Sequence, residues 1–140
     1  MPYGRQLADR VLDAVNAHDL DRLAACYDRH AVLVTPLSMC EGRDRIIGYW
    51  KDLFGGFVDL AMTVWNRVEY TEPGFNEWMM TGTHTGTIAL PDVVADASGR
   101  RITLRGCGVF HTKNGLVATH RHYFDLLELY CQLGFSLDID

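Results

Sequence analysis

Of the six histidines in this chain, His120 and His122 stand two residues apart in the run LVATHRHYF. Side chains two apart on an extended segment point to the same side, so His120, His122 and Phe124 share one face and Thr119, Arg121 and Tyr123 the other. The ordinary pKa of imidazole lies nearest neutrality. On a shielded face His122 could therefore take a proton from an activated carbon or hydroxyl and return it elsewhere. Once protonated it is a cation, which would stabilise an adjacent enolate. The competing reading is a histidine that only hydrogen-bonds a bound ligand or a backbone carbonyl. His120, or His84 in the run THTG, is the candidate for steadying an oxyanion, although His84 could equally pack outward at a subunit contact. The His-x-His spacing could also present two imidazoles to one metal, with His84 or His111 as a third ligand. No carboxylate stands where a cupin-like site would need one, so a metal is not expected. His18, His30 and His111 lie beside turns or helix ends, where solvated or capping roles are the default.

What those histidines would act on is suggested by their surroundings. Trp50, Phe54, Phe57, Trp65, Trp78 and Phe110 form a large aromatic complement, most of which must be core. Trp50, Phe54, Trp78, Phe110, Phe124 and Thr85 are the expected pocket-lining set. Apolar walls with few polar groups favour a small hydrophobic, ring-bearing molecule over a sugar or nucleotide, and no Gly-rich phosphate loop or Ser-His-Asp arrangement is present. Gly106 and Gly108 flank Cys107 in mid-strand, which suggests a bulge or a close approach by a ligand. The formal charge of -5, with Lys and Arg scattered, argues against a nucleic-acid partner. The opening run reads as an amphipathic helix rather than a signal peptide, and no segment approaches membrane-spanning length. The four cysteines form no Cys-x-x-Cys pair and fit reduced thiols in a cytoplasm.

The elements that must position these residues follow from periodicity. Leu7, Val11, Leu12 and Val15 recur at helical spacing, and after a break at 16–19 Leu20, Leu23, Ala24 and Tyr27 repeat the pattern. AVLVT before Pro36 is a short strand, followed by a turn in LSMCEG. Ile46, Trp50, Leu53, Phe54 and Phe57 mark a third helix that ends near Gly55 and Gly56. The remainder is mainly sheet. Leu60, Met62 and Val64 alternate, NEWMMTGTHTGTIAL is extended, and a loop covers 91–99. RRITLRGCGVFHT and LVATHRHYF should pair antiparallel across Lys113, Asn114 and Gly115, because Asn-Gly is a strong hairpin signal. Asp125 and Glu128 have capping-box spacing ahead of a final short helix stopped at Gly134. With 140 residues, 48% hydrophobic and 22% charged, we expect a single domain over 1–140. Its class is α+β: three N-terminal helices covering one face of an antiparallel sheet, with a pocket between them if the sheet curves.

EGRDRI, THTG, GVF and the ending RHYFDLLELYCQLG together resemble the nuclear transport factor 2-like superfamily. Within it the closest likeness is to the SnoaL-like polyketide cyclases and the limonene epoxide hydrolases. The resemblance implies a cone of three N-terminal helices packed on a strongly curved sheet with an internal pocket, a homodimer or larger homo-oligomer, chemistry without metal or organic cofactor, and an isomerase, cyclase, dehydratase or other lyase activity on a small carbonyl or polyketide-like compound. In the cyclases a carboxylate follows a His-Arg pair on the last strand, and here His120 and Arg121 match while His122 occupies the carboxylate position. A second family histidine falls at Gly108. The water-holding Tyr and Asn of the epoxide hydrolases fall at Val32 and Val34, their Arg and Asp near Thr83 and Thr85. Valines cannot polarise a water, so epoxide hydrolysis by that mechanism is not expected. A pocket that binds without catalysis, or a dimeric scaffold module, are the alternatives.

Overall fold

The computed structural model describes residues 3–68 and 72–138. Helix α1 (Tyr3–Asn16) buries Leu7, Val11, Ala14 and Val15, one apolar stripe at helical spacing. Its end is fixed to the sheet: Asn16 Nδ2 donates to the Met62 carbonyl at 2.9 Å, and the Met62 amide donates to Asn16 Oδ1 at 2.7 Å. His18 follows with φ of 52°, and Asp19 then caps the short helix α2 (Leu20–Ala24) by accepting from the Arg22 amide. Tyr27, read from the sequence as the last residue of that helical stripe, instead begins strand β1 (Tyr27–Val34). The helix has closed its ladder by Ala25, and Tyr27 is already paired to β8.

Strand β2 (Met39–Glu41) lies in the segment expected to be a turn and pairs back on β1. Helix α3 (Arg43–Gly56) buries Ile46, Trp50 and Leu53 against the sheet. Then come β3 (Ala61–Val68), β4 (Gly74–Thr83), the small hairpin β5 (Ile88–Ala89) and β6 (Val94–Ala95), β7 (Arg101–Lys113), β8 (Leu116–Phe124) and helix α4 (Leu126–Gln132). The hairpin between β7 and β8 turns where expected, with Asn114 at φ 53° and Gly115 at φ 77°. Asp125 caps α4 by accepting from the Glu128 amide at 3.2 Å.

The main sheet has the order β2-β1-β8-β7-β4-β3 and curls around the helices without closing. One pairing departs from the expected antiparallel sheet: β1 and β8 run parallel. Hairpin turns force neighbours in sequence to run antiparallel, but no turn joins β1 to β8, so their direction is free of that constraint. Beyond Gly106, β7 has no β8 partner, and the Gln132 side chain of α4 takes over, bonding both the amide and the carbonyl of Thr103. Bulges interrupt the register between Val64 and Asn66 and between Tyr27 and Val32. The first turns Trp65 out to solvent, so that among the aromatics named above it is one that does not join the core; it is 50% exposed. The second allows Tyr27 to bury its ring.

Candidate functional site

The concave side of the sheet and the underside of α1 enclose an apolar cavity. Val11, Leu12 and Val15 roof it, Trp50 reaches in from α3, and the sheet supplies Asn76 and Trp78 from β4, Phe110 from β7 and His120 and His122 from β8. The paired histidines thus face inward together, as their spacing requires, and are buried to 6% and 5% exposure. Their ring centroids lie 4.4 Å apart, edge to face. The cavity volume is about 20 Å³, room for roughly one water-sized group.

A chain of hydrogen bonds leads into it. The indole Nε1–H of Trp50 donates to the Tyr27 hydroxyl at 3.4 Å, and that hydroxyl lies 3.0 Å from His120 Nδ1. An indole nitrogen can only donate, so the tyrosine oxygen accepts from Trp50; the buried hydroxyl has no other acceptor among the described residues, and on that ground we assign its proton to the bond with His120. His120 Nδ1 is then the acceptor, and its proton sits on Nε2. His122 packs against Trp50 and Trp78, with centroids at 5.9 and 5.2 Å. Burial away from water pushes the His120 pKa down to about 4. Burial first, and the neighbouring His120 second, hold His122 well below the ordinary imidazole value. Burial also raises the Tyr27 hydroxyl far above its usual range. At neutral pH the array is therefore two neutral imidazoles backed by a protonated phenol. Such a pair can accept a proton at one ring and donate a hydrogen bond from the other.

Gly108 and Gly106 explain how so many rings fit. A Cβ at Gly108 would stand 2.7 Å from Asn76 Oδ1 and 3.5 Å from His122 Cδ2, and one at Gly106 would stand 2.6 Å from the Trp78 ring and from the Tyr123 carbonyl oxygen. The register through both glycines is unbroken, so they mark close approach by side chains and not a bulge. Asn76 Oδ1 and Trp78 Nε1 are buried without a hydrogen-bond partner among the described residues.

Of the residues expected at the site, Trp50, Trp78, Phe110, His120 and His122 line the cavity and the others do not. His84 lies near the far end of β4. Its Nδ1 accepts from the Ser98 amide, and its ring packs against Phe57 at 5.5 Å. The candidate oxyanion role thus meets a residue bound to a different part of the fold, because the chain leaves β4 at Thr83 and takes His84 into the loop pairing with Arg100. Thr85 is exposed and contacts the end of α3, its hydroxyl accepting from the Val58 amide. Phe54 turns away from the cavity to stack on His18 at 4.2 Å, while His18 Nε2 bonds the Leu60 carbonyl. Phe124 sits behind Trp78 as a second layer. Val32 and Val34 alternate with the buried Ala31 and Leu33 and so face the other side of β1.

Two polar residues of the site escaped the sequence reading. Tyr27 was hidden because its spacing continues the α2 pattern. Asn76 could have been found as the polar member of the inward series Asn76, Trp78, Met80, Gly82 on β4. His120 and His122 are the nearest thing to a metal-ligand pair, yet among the described residues no third His, Cys, Asp or Glu joins them, and Tyr27 already occupies His120 Nδ1.

Comparison with known proteins adds the family. The SnoaL-like domain family matches residues 8–120. Among solved structures, a protein assigned as a SnoaL-like polyketide cyclase from Jannaschia sp. CCS1 superposes with a TM-score of 0.83 at 19% identity, covering 96% of this chain and 94% of its own. TsrD from Streptomyces laurentii gives 0.80 at 26% identity, with 94% and 95% covered. IdmH from Streptomyces antibioticus, assigned as a polyketide cyclase, gives 0.75 at 20% identity, with 94% and 99% covered. No curated protein matches the chain.

Proposed function

The chain belongs to the SnoaL-like domain family, and on that footing we propose that it is an acid–base catalyst, an isomerase, cyclase or lyase acting on a small hydrophobic carbonyl compound. The observation that carries this reading is the buried Tyr27–His120 hydrogen bond, which holds one imidazole of an inward-facing pair in a defined tautomer. His122 would remove a proton from the carbon beside the carbonyl. His120, presenting Nε2–H, would donate a hydrogen bond to the enolate oxygen without carrying charge of its own. A base so depressed is weak, and a weak base suits a carbon acid already activated by two carbonyl groups. The relatives assigned as polyketide cyclases support that choice of substrate class.

An organic substrate does not fit in about 20 Å³, so turnover requires α1 to yield. The route is the neighbouring depression that shares Leu12, Val64, Asn76 and Phe110 with the cavity and runs beneath the Asp9–Arg67 ion pair. The decisive assay is exchange of the α-hydrogen of apolar 1,3-diketones in deuterated water, followed by NMR. His122→Ala should slow protein-catalysed exchange by roughly 10²–10⁴-fold. Exchange as fast as wild type in that variant would refute the role of His122. The small cavity favours a second reading, a scaffold or binding domain without chemistry, which predicts no catalysed exchange of any such compound. A homodimer in a cytoplasm remains part of the proposal: the exposed Val68 and Phe75, which also border the neighbouring depression, the exposed Tyr123, and four free thiols support it.

A further inference from the structure

We propose that Asn76 and Trp78 form a donor–acceptor clamp for a neutral ligand bearing a hydroxyl close to a carbonyl oxygen. The inference rests on the ligand-binding reading of the cavity above and names what the cavity would recognise. Asn76 and Trp78 lie two apart on β4 and both line the cavity. Trp78 is 1% exposed, and its Nε1–H, a group that can only donate, is left without a partner. The buried Asn76 Oδ1, which can only accept, is likewise unpaired. Buried polar atoms are nearly always satisfied, and two orphans of opposite character on two cavity-lining residues are what a partner with both functions would satisfy.

The opposing strand keeps these atoms in place without pairing them. Trp78 stands opposite Gly106 and Asn76 opposite Gly108, and any larger residue on β7 would collide with the indole or the amide. The space left is about that of one oxygen-bearing group, which accounts for the polar end of a ligand and not for its body. The body would lie along the adjoining depression, which holds only about 10 Å³ and so must widen as α1 yields; Leu12, Val64 and Phe110 make it apolar, and the charges of Asp9 and Arg67 at its wall are paired with each other. No Lys, Arg, Asp or Glu lines the cavity, so an anionic ligand would find no countercharge there. A carbonyl or hydroxyl oxygen accepts from Trp78 Nε1–H, and a hydroxyl donates to Asn76 Oδ1.

Calorimetric titration of the protein with three compounds of similar size tests this. The benzaldehyde–acetone aldol carries both groups, benzylacetone lacks the hydroxyl, and hydrocinnamate carries a negative charge. The aldol should bind roughly five- to tenfold more tightly than benzylacetone, the worth of about one hydrogen bond, and hydrocinnamate more weakly than either. Asn76→Leu should erase the preference for the aldol, whereas Trp78→Phe should weaken both ketones alike. Equal binding of the aldol and benzylacetone by the wild type overturns the clamp while leaving a ligand pocket in place, and this outcome needs no variant to fold. A hydroxyl preference that survives Asn76→Leu in a folded variant also overturns it. Binding of none of the three refutes the ligand-binding reading and the clamp together.

Discussion

His120 and His122 lose their charge to burial, and that has a thermodynamic consequence. An unfolded chain binds a proton at each imidazole near its ordinary pKa of 6.5, whereas the folded state resists protonation of His120 down to about 4. The unfolded state therefore gains protons first as pH falls. Stability due to the neutral imidazole is present above pH 6.5, declines from there toward pH 4, and loses nothing more below it. At about 1.4 kcal/mol per pKa unit the decline is of order 3 kcal/mol for His120 alone, and His122 acts in the same direction. Melting temperature should fall through this window, and His120→Leu should flatten the slope; an unchanged slope would mean that His120 is not the titrating group. Tyr27→Phe strips a partner from both Trp50 Nε1 and His120 Nδ1, which should cost about 1–3 kcal/mol by chemical denaturation. Nitrogen NMR of the histidines in the wild type should show the Nε2-protonated neutral form at His120. The shared face of the two imidazoles was legible because alternation along a strand needs no tertiary information, whereas that this face points inward was decided by packing. Tyr27 was not, since the same spacing fits a helix that in fact stops at Ala24.

At the level of elements, α1 is both roof and barrier. Its C-terminal end is held by the paired bonds between Asn16 and Met62, and its outer face by the half-exposed Asp9–Arg67 pair. An ion pair with that much solvent contributes within about 1 kcal/mol. Arg67→Ala should thus leave global stability nearly unchanged while speeding amide exchange in residues 7–16; exchange at the wild-type rate would show that the pair does not restrain α1. Strand β7 is the opposite case, a rigid wall with no room to spare. Gly106→Ala places a methyl group against the Trp78 ring and the Tyr123 carbonyl, and the latter, being backbone of a paired strand, cannot step aside. The expected loss is roughly 1–3 kcal/mol in denaturant unfolding, and a neutral outcome would contradict the packing described. In the sequence the two glycines suggested a bulge or a close approach by a ligand. What approaches them, Trp78 and Asn76 from β4 and not a bulge, depends on the register between strands, which no local signal specifies.

For the molecule as a whole, the outer face of the sheet is the surface with most to explain. Val68 and Phe75 pair across β3 and β4, and Phe75 in turn stands opposite Val109 on β7. Tyr123 lies on the same side one row away, opposite Cys107. If this face joins two copies, as proposed, sedimentation should give a dimer for the wild type and a monomer for Phe75→Glu, whereas a monomeric wild type would leave the face without that role. What the sequence determined by itself is the α+β class, most element positions, the β7–β8 hairpin and the shared face of His120 and His122. All of these follow from local periodicity, capping and turn chemistry, which act over a few residues. Only the tertiary structure decided that β1 runs parallel to β8, bringing Tyr27 to His120 across 93 residues of sequence. It likewise moved His84, Thr85 and Phe54 out of the cavity and put Asn76 into it. The reason is physical: curvature, bulges and register between distant strands are settled by the packing of the whole core, and a single residue's shift in any of them exchanges the inside of a strand for its outside.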